Sequence, residues 1–131
     1  MRAVADFCIR HRRLTVLAWI VALIAAGAAS RWAALVHADV VRPARADGLG
    51  AGFHPSRRAI GFATVTAFFV APLVCDGWPG LAALGAALLA ALATSAGAHR
   101  LLGGRTGDTL GATVALAEVA AVLALLAIWH A

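Results

Sequence analysis

Four stretches of this chain are long, apolar and almost free of charge, and they restrict its fold more than anything else in it. Residues 14–30, 59–75 and 79–98 contain no Asp, Glu, Lys or Arg, and residues 109–129 contain one, Glu118. A helix needs about 20 residues to cross a bilayer, with a range of about 17 to 25. In hydrocarbon every backbone N–H and C=O must be paired inside the structure, which leaves helices or a closed barrel. A barrel would alternate apolar and polar residues, and no such alternation occurs here. The pattern therefore predicts an all-α fold: one polytopic integral membrane helical bundle over residues 1–131, with about four transmembrane helices. Composition agrees. The chain is 63% hydrophobic and 13% charged, against about half and about a quarter for soluble domains.

All eleven basic residues are arginine, and the net charge is +5. These arginines lie between the apolar runs, and no soluble basic domain exists to carry a duplex. The excess suits lipid headgroups and a cytoplasmic face, and no nucleic-acid partner is expected. Residues 31–58 hold five arginines and residues 99–108 two, whereas the turn at 76–79 holds none. The long loop at 31–58 and the motif at 99–108 should therefore share the cytoplasmic side of a cell (inner) membrane. Arg2, Arg10, Arg12 and Arg13 would also prefer that side, yet one span separates them from it. Either the first helix is re-entrant or tilted, or the chain does not start at a natural start. The first segment lacks the cleavage context of a secretory signal. "CDGWPG" at 75–80 reads as a tight turn closing an antiparallel hairpin. Ala82, Ala86 and Ala90, with Gly85, form a small-residue stripe suited to close helix contact. Cys8 and Cys75 make neither a disulfide framework nor a zinc site. The five histidines (His11, His37, His54, His99 and His130) lack metal-ligand spacing and read as surface or interfacial groups.

Three features carry chemistry. "LLGGRTGDTLGA", residues 101–112, interrupts two apolar runs where the last helix begins. A helix amino end offers unpaired N–H groups and a partial positive charge. Gly103, Gly104 and Gly107 would let a phosphate approach the backbone, with Thr106 beside them. Arg105 would add a charged fork, and Asp108 could hold a magnesium ion. The competing reading makes Asp108 an N-cap and Gly107 with Gly111 a helix contact. The second feature is "RPARADGLGAGF", residues 42–53, where Arg45, Asp47, Gly48 and Gly50 either fold over an anion or form a solvated connector. The third is Glu118, about 15 Å deeper than Asp108 on the same helix. An ionisable group there should face the interior, on the face shared with Gly111, with Arg31 as candidate partner. A hydrogen-bonding role and a catalytic role remain equally open for it.

"SRWAAL", "ARADGLGAGF" and "LLGGRTGDTLGATVALAEVAAVLALL", in that order, resemble the C-terminal half of the cobalamin 5′-phosphate synthase (adenosylcobinamide-GDP ribazoletransferase) family. The resemblance covers residues 22–129, and residues 1–21 match poorly. It implies a magnesium-dependent membrane transferase that joins adenosylcobinamide-GDP to α-ribazole or its 5′-phosphate and releases GMP. Gly103, Gly104, Thr106, Gly107 and Asp108 fall on the family's motif, and Arg105 on its variable position. Asp47 stands where the family often has an acidic residue. The resemblance implies catalytic roles for Asp108 and Glu118, with Asp108 as metal ligand. It implies substrate contacts for Arg31, Arg45, Asp47, Gly48, Gly50 and the residues from Gly103 to Gly107. The family's aspartate-rich run is missing, and Ala115 replaces the first of two glutamates. The chain thus resembles half of an enzyme, to be completed by a separate N-terminal half or a homo-oligomer. The alternative is a non-catalytic membrane scaffold or an inactive remnant.

Overall fold

A computed structural model describes residues 11–48 and 50–129. Arg2, Cys8, Arg10 and His130 lie outside the described residues. Four helices follow one another: α1 (Arg12–Val40), α2 (Arg57–Val74), α3 (Trp78–Leu102) and α4 (Gly107–Trp129). All four are long and apolar enough to cross a membrane. Among the described residues there is no strand, and a single isolated bridge joins Pro43 to Arg105. The protein is an all-α, multi-pass membrane bundle. α1 packs against the other three helices, and α3 packs against α2 and α4. α2 and α4 do not touch, so they flank the α1–α3 pair on opposite sides.

The core is built from alanine. Ala25, Ala26, Ala29 and Ala33 of α1 meet Ala83, Ala87 and Ala91 of α3 and Ala117 and Ala121 of α4, all fully buried. Lipid tails are as apolar as leucine, so burying leucine between spans gains little. Small residues instead bring the backbones close and increase dispersion contact. Larger side chains such as Phe62, Phe69, Leu73 and Leu89 point outward. Trp32 is an exception. Its indole N–H donates to Thr64 Oγ1 at 2.9 Å and its ring meets Phe68 edge-on, which anchors α1 to α2.

The structure corrects several sequence expectations. α1 runs unbroken for 29 residues, so it is neither re-entrant nor stopped at residue 30. The Ser30 hydroxyl and the Arg31 guanidinium both donate back to the Gly27 carbonyl, at 3.0 and 3.2 Å. The charged residue is thereby accommodated and the helix continues. The close-contact stripe on α3 is Ala83–Ala87–Ala91, one position on from Ala82–Ala86–Ala90, and Gly85 faces out. On α4 the buried face is Thr113, Ala117, Ala121 and Leu125. Gly111 is exposed with nothing near it, so it neither faces inward nor makes a helix contact with Gly107.

The α2–α3 turn is as tight as expected. Asp76 and Gly77 have φ of 57° and 92°, and the Gly77 N–H donates to the Pro72 carbonyl at 2.7 Å. Gly80 lies directly on the backbone of Ala71 and Pro72, leaving no room for a Cβ. Cys75 is buried in this turn, and burial pushes its thiol pKa up. Two glycine substitutions should therefore diverge. Gly80→Ala should splay the hairpin and lower the melting temperature in detergent. Gly111→Ala should be neutral or raise stability by up to about 1 kcal/mol, the helix-propensity gain. Destabilisation by Gly111→Ala would restore a packing role for that glycine.

Candidate functional site

The end of the bundle formed by residues 41–56 and 103–106 gathers most of the residues singled out in the sequence. α3 stops because Gly103 turns left-handed, with φ of 70°, and the Gly104 N–H reaches back to the Ala98 carbonyl at 3.2 Å. Gly104 then lies flat on the first loop. A Cβ there would stand 2.6 Å from the Arg42 oxygen and 2.7 Å from the Ala44 nitrogen. That proximity permits two backbone hydrogen bonds, Arg105 N–H to Arg42 O at 2.8 Å and Ala44 N–H to Arg105 O at 2.9 Å. The two loops thus share one side of the bundle, as their charges predicted.

Arg105 does not project as an open fork. It is 5% exposed. Nη1 donates to the carbonyls of Ala38 and Val41 at 2.6 and 2.7 Å, and Nη2 to Phe53 at 2.6 Å. The last carbonyls of a helix have no partner within it, and this guanidinium supplies one at the end of α1 while holding the far end of the loop. Nε is its one polar atom that is buried without a partner.

Thr106, not Asp108, caps α4. The Thr109 N–H donates to Thr106 Oγ1 at 3.2 Å, and the Thr106 N–H donates to Thr109 Oγ1 at 2.8 Å. This is a reciprocal capping box with threonine in the second role. Asp108 is left exposed in the first turn with no capping duty. The N–H groups of Gly107 and Asp108 have no protein partner among the described residues. Gly50 is buried against this helix start, where a Cβ would come within 2.9 Å of the Thr106 carbonyl carbon. A cleft of about 380 Å³ results, with Arg45, Gly48 and Gly50 on one wall and Thr106, Gly107 and Asp108 on the other. Arg105 contributes to its lining.

The remaining expected residues lie apart from this cleft. Asp47 is exposed and outside its lining, and Gly104 is buried beneath the first loop. Gly103 borders a neighbouring cleft of about 500 Å³, together with Arg42, Ser95 and His99. Arg31 and Glu118 form a separate pair between α1 and α4. Arg31 Nη1 stands 3.7 Å from Glu118 Oε2, and the Ser30 hydroxyl approaches the same oxygen at 3.5 Å. The expected partnership is present at the middle of α4, but Glu118 does not face the interior as expected: the buried face of that helix is Thr113, Ala117, Ala121 and Leu125. An ionised side chain at such depth costs about 2.5–3.5 kcal/mol on insertion scales.

His37, expected from the sequence to be a surface or interfacial group, lies instead inside the bundle. It is fully buried. Its Nδ1 lies 2.7 Å from Ser95 Oγ and its Nε2 3.3 Å from Thr109 Oγ1. It therefore ties α1 and α3 to Thr109, the second member of the α4 capping box. The signal was available: Ala25, Ala29, Ala33 and His37 recur every four residues along one helix face.

Among the described residues no group of three or more His, Cys, Asp or Glu is placed to hold a metal. Asp108 is the one carboxylate lining the cleft.

Comparison with known proteins follows the same residues. The adenosylcobinamide-GDP ribazoletransferase of Rhizobium etli (strain CIAT 652) is 39% identical over 119 residues, covering 87% of this chain and 46% of the relative. The protein of that name from Rhizobium johnstonii is 40% identical over 128 residues, covering 92% and 48%. The one from Sinorhizobium medicae is 41% identical over 111 residues, covering 80% and 42%. The chain spans about half the length of the curated relatives it matches. No solved structure matches it. The family model described as cobalamin-5-phosphate synthase matches residues 3–126, and with that match the chain belongs to the cobalamin-5-phosphate synthase family.

Proposed function

We propose that this chain takes part in joining adenosylcobinamide-GDP to α-ribazole or its 5′-phosphate, with release of GMP, the nucleotide-loop step of cobalamin biosynthesis. One observation carries the reading: the amino end of α4 opens on a cleft facing Arg45, Gly48 and Gly50. A helix amino end with free N–H groups is suited to a phosphate, and Gly107 and Asp108 offer two such groups. In this reading a ribose hydroxyl oxygen forms a bond to the phosphorus joined to cobinamide. The bond from that phosphorus to the GMP oxygen breaks, and the hydroxyl proton is released. Arg45 and the two N–H groups hold the diphosphate and offset the charge that grows on the leaving phosphate.

Magnesium belongs to the same proposal. Bound there, it would neutralise phosphate oxygens as a Lewis acid. One carboxylate fits a magnesium ion that takes its remaining ligands from phosphate and water. It does not fit a metal held by this chain alone. That donor set favours a second reading, in which the chain is a non-catalytic membrane subunit or needs a complementing membrane segment. We place it in the cell inner membrane with the cleft facing the cytoplasm, on the strength of the arginines around the cleft.

The test is GMP release by the chain reconstituted in lipid with adenosylcobinamide-GDP, α-ribazole phosphate and magnesium. The assay is run with and without the N-terminal half of a full-length relative. Release in either arm supports the transferase reading. No release in both, with substrate binding retained, leaves the subunit reading. Glu118→Gln should reduce turnover by less than tenfold, because the amide oxygen still accepts from Ser30. A loss of about 10²-fold or more, the scale for removing a charge-stabilising group, would give Glu118 a direct part in the reaction.

A further inference from the structure

The Arg31–Glu118 pair has a second consequence, independent of the proposed activity. Glu118 is eleven residues from each end of α4, and Arg31 is nine residues from the loop end of α1. Both therefore sit about 14–16 Å from the loop end, deep in the span. Yet their side chains are 69% and 39% exposed for Arg31 and Glu118, on the outer surface between the two helices. Charged groups at this depth face protein or a water-filled cavity, not lipid.

The pair is also unfinished. Arg31 Nη1 donates to Gly27 and Ser30 and approaches Glu118, while Nη2 and Nε meet no acceptor among the described residues. A guanidinium has five N–H donors, so most of them await a partner. Beside Glu118 runs an apolar groove of about 430 Å³, walled by Ala115, Val119, Val122 and Leu123. Among the described residues this groove is lined by α4 alone, and α2 does not reach α4.

We propose that a second copy of this chain covers the α1–α4 face and completes the pair across a two-fold axis along the membrane normal. The charges argue for this occupant. A two-fold interface is self-complementary: residue i meets residue j of the other copy, and j meets i. Arg31 and Glu118 have opposite charge and nearly equal depth, and a two-fold along the normal preserves depth. Each Arg31 can thus reach the Glu118 carboxylate of the other copy, giving four charges with no net charge. A partner that brought one carboxylate alone would leave that charge unbalanced in hydrocarbon.

Disulfide trapping in lipid vesicles tests this with the full chain, after Cys8→Ser and Cys75→Ala. Val119→Cys lies beside the groove, and Phe69→Cys lies on α2 at the opposite side of the bundle. Under mild oxidation, Val119→Cys should form covalent dimers at least tenfold more than Phe69→Cys. Adding Arg31→Leu with Glu118→Leu should abolish that excess, since no charge then requires covering. Equal trapping at both positions, or an excess that survives the double leucine change, overturns the proposal. So does a Val119→Cys chain that stays monomeric while joining to a different membrane polypeptide.

Discussion

With a complementing N-terminal half supplied, Asp108→Asn is expected to lower GMP release by about 10²–10³-fold, the scale of loss when a preorganised charge-stabilising group is removed. Membrane insertion and thermal stability should remain unchanged. The second half of that statement rests on geometry. Had Asp108 been the cap of α4, its replacement would have cost helix stability and confused any activity measurement. Thr106 and Thr109 perform the capping instead, so the Asp108 carboxylate has no structural work that its amide would fail to do. Steady-state GMP release, set beside a melting curve in the same detergent, separates the two outcomes. Wild-type turnover by Asp108→Asn would remove the carboxylate from the chemistry and leave the cleft without an acidic ligand.

Arg105→Ala should behave in the opposite way. The guanidinium satisfies three carbonyls, on Ala38, Val41 and Phe53, from a position that is 5% exposed. Each buried acceptor left unpaired costs about 1–3 kcal/mol, and such costs add incompletely. A loss of about 3–5 kcal/mol is expected, comparable to breaking a buried charged contact. Limited proteolysis should then cut within residues 43–56 faster than in the unsubstituted chain. Arg105→Lys should rescue little, because one ammonium cannot span the end of α1 and Phe53 together. If Arg105→Ala instead melts normally and only weakens substrate binding, the residue is the phosphate fork that its place in the motif suggested.

That contrast shows what the sequence could disclose. The number of spans, the hairpin at 75–80 and the meeting of the two polar loops all follow from hydropathy, turn residues and loop charge, which are one-dimensional properties. Rotation about a helix axis is not. α3 and α4 are apolar on every side, so their periodicity does not say which alanines face inward. The inward faces were therefore misassigned at Ala82–Ala86–Ala90 and at Gly111. The charge-free run at 14–30 does not show where α1 ends, and the helix continues ten residues beyond it, to Val40. Ser30 and Arg31 instead bond to the preceding turn and let the helix pass. Within the site, the motif located Thr106, Gly107 and Asp108 but could not assign their duties. Arg105 was expected as a fork and Asp108 as a cap or a ligand; the carbonyls of Ala38, Val41 and Phe53 take the Arg105 guanidinium, and the Thr106–Thr109 pair takes the cap.

The hydrogen-bonded meeting of Arg42–Ala44 with Arg105 also sets an order of events during synthesis. The two walls of the cleft are separated in the chain by the whole α2–α3 hairpin. Neither wall can take its final shape until the ribosome has delivered the last span. Until then the first loop lacks the guanidinium that fixes it, and the carbonyls ending α1 lack their donor. A chain that ended before residue 105 would keep the sequences of three helices and lack one wall of the cleft.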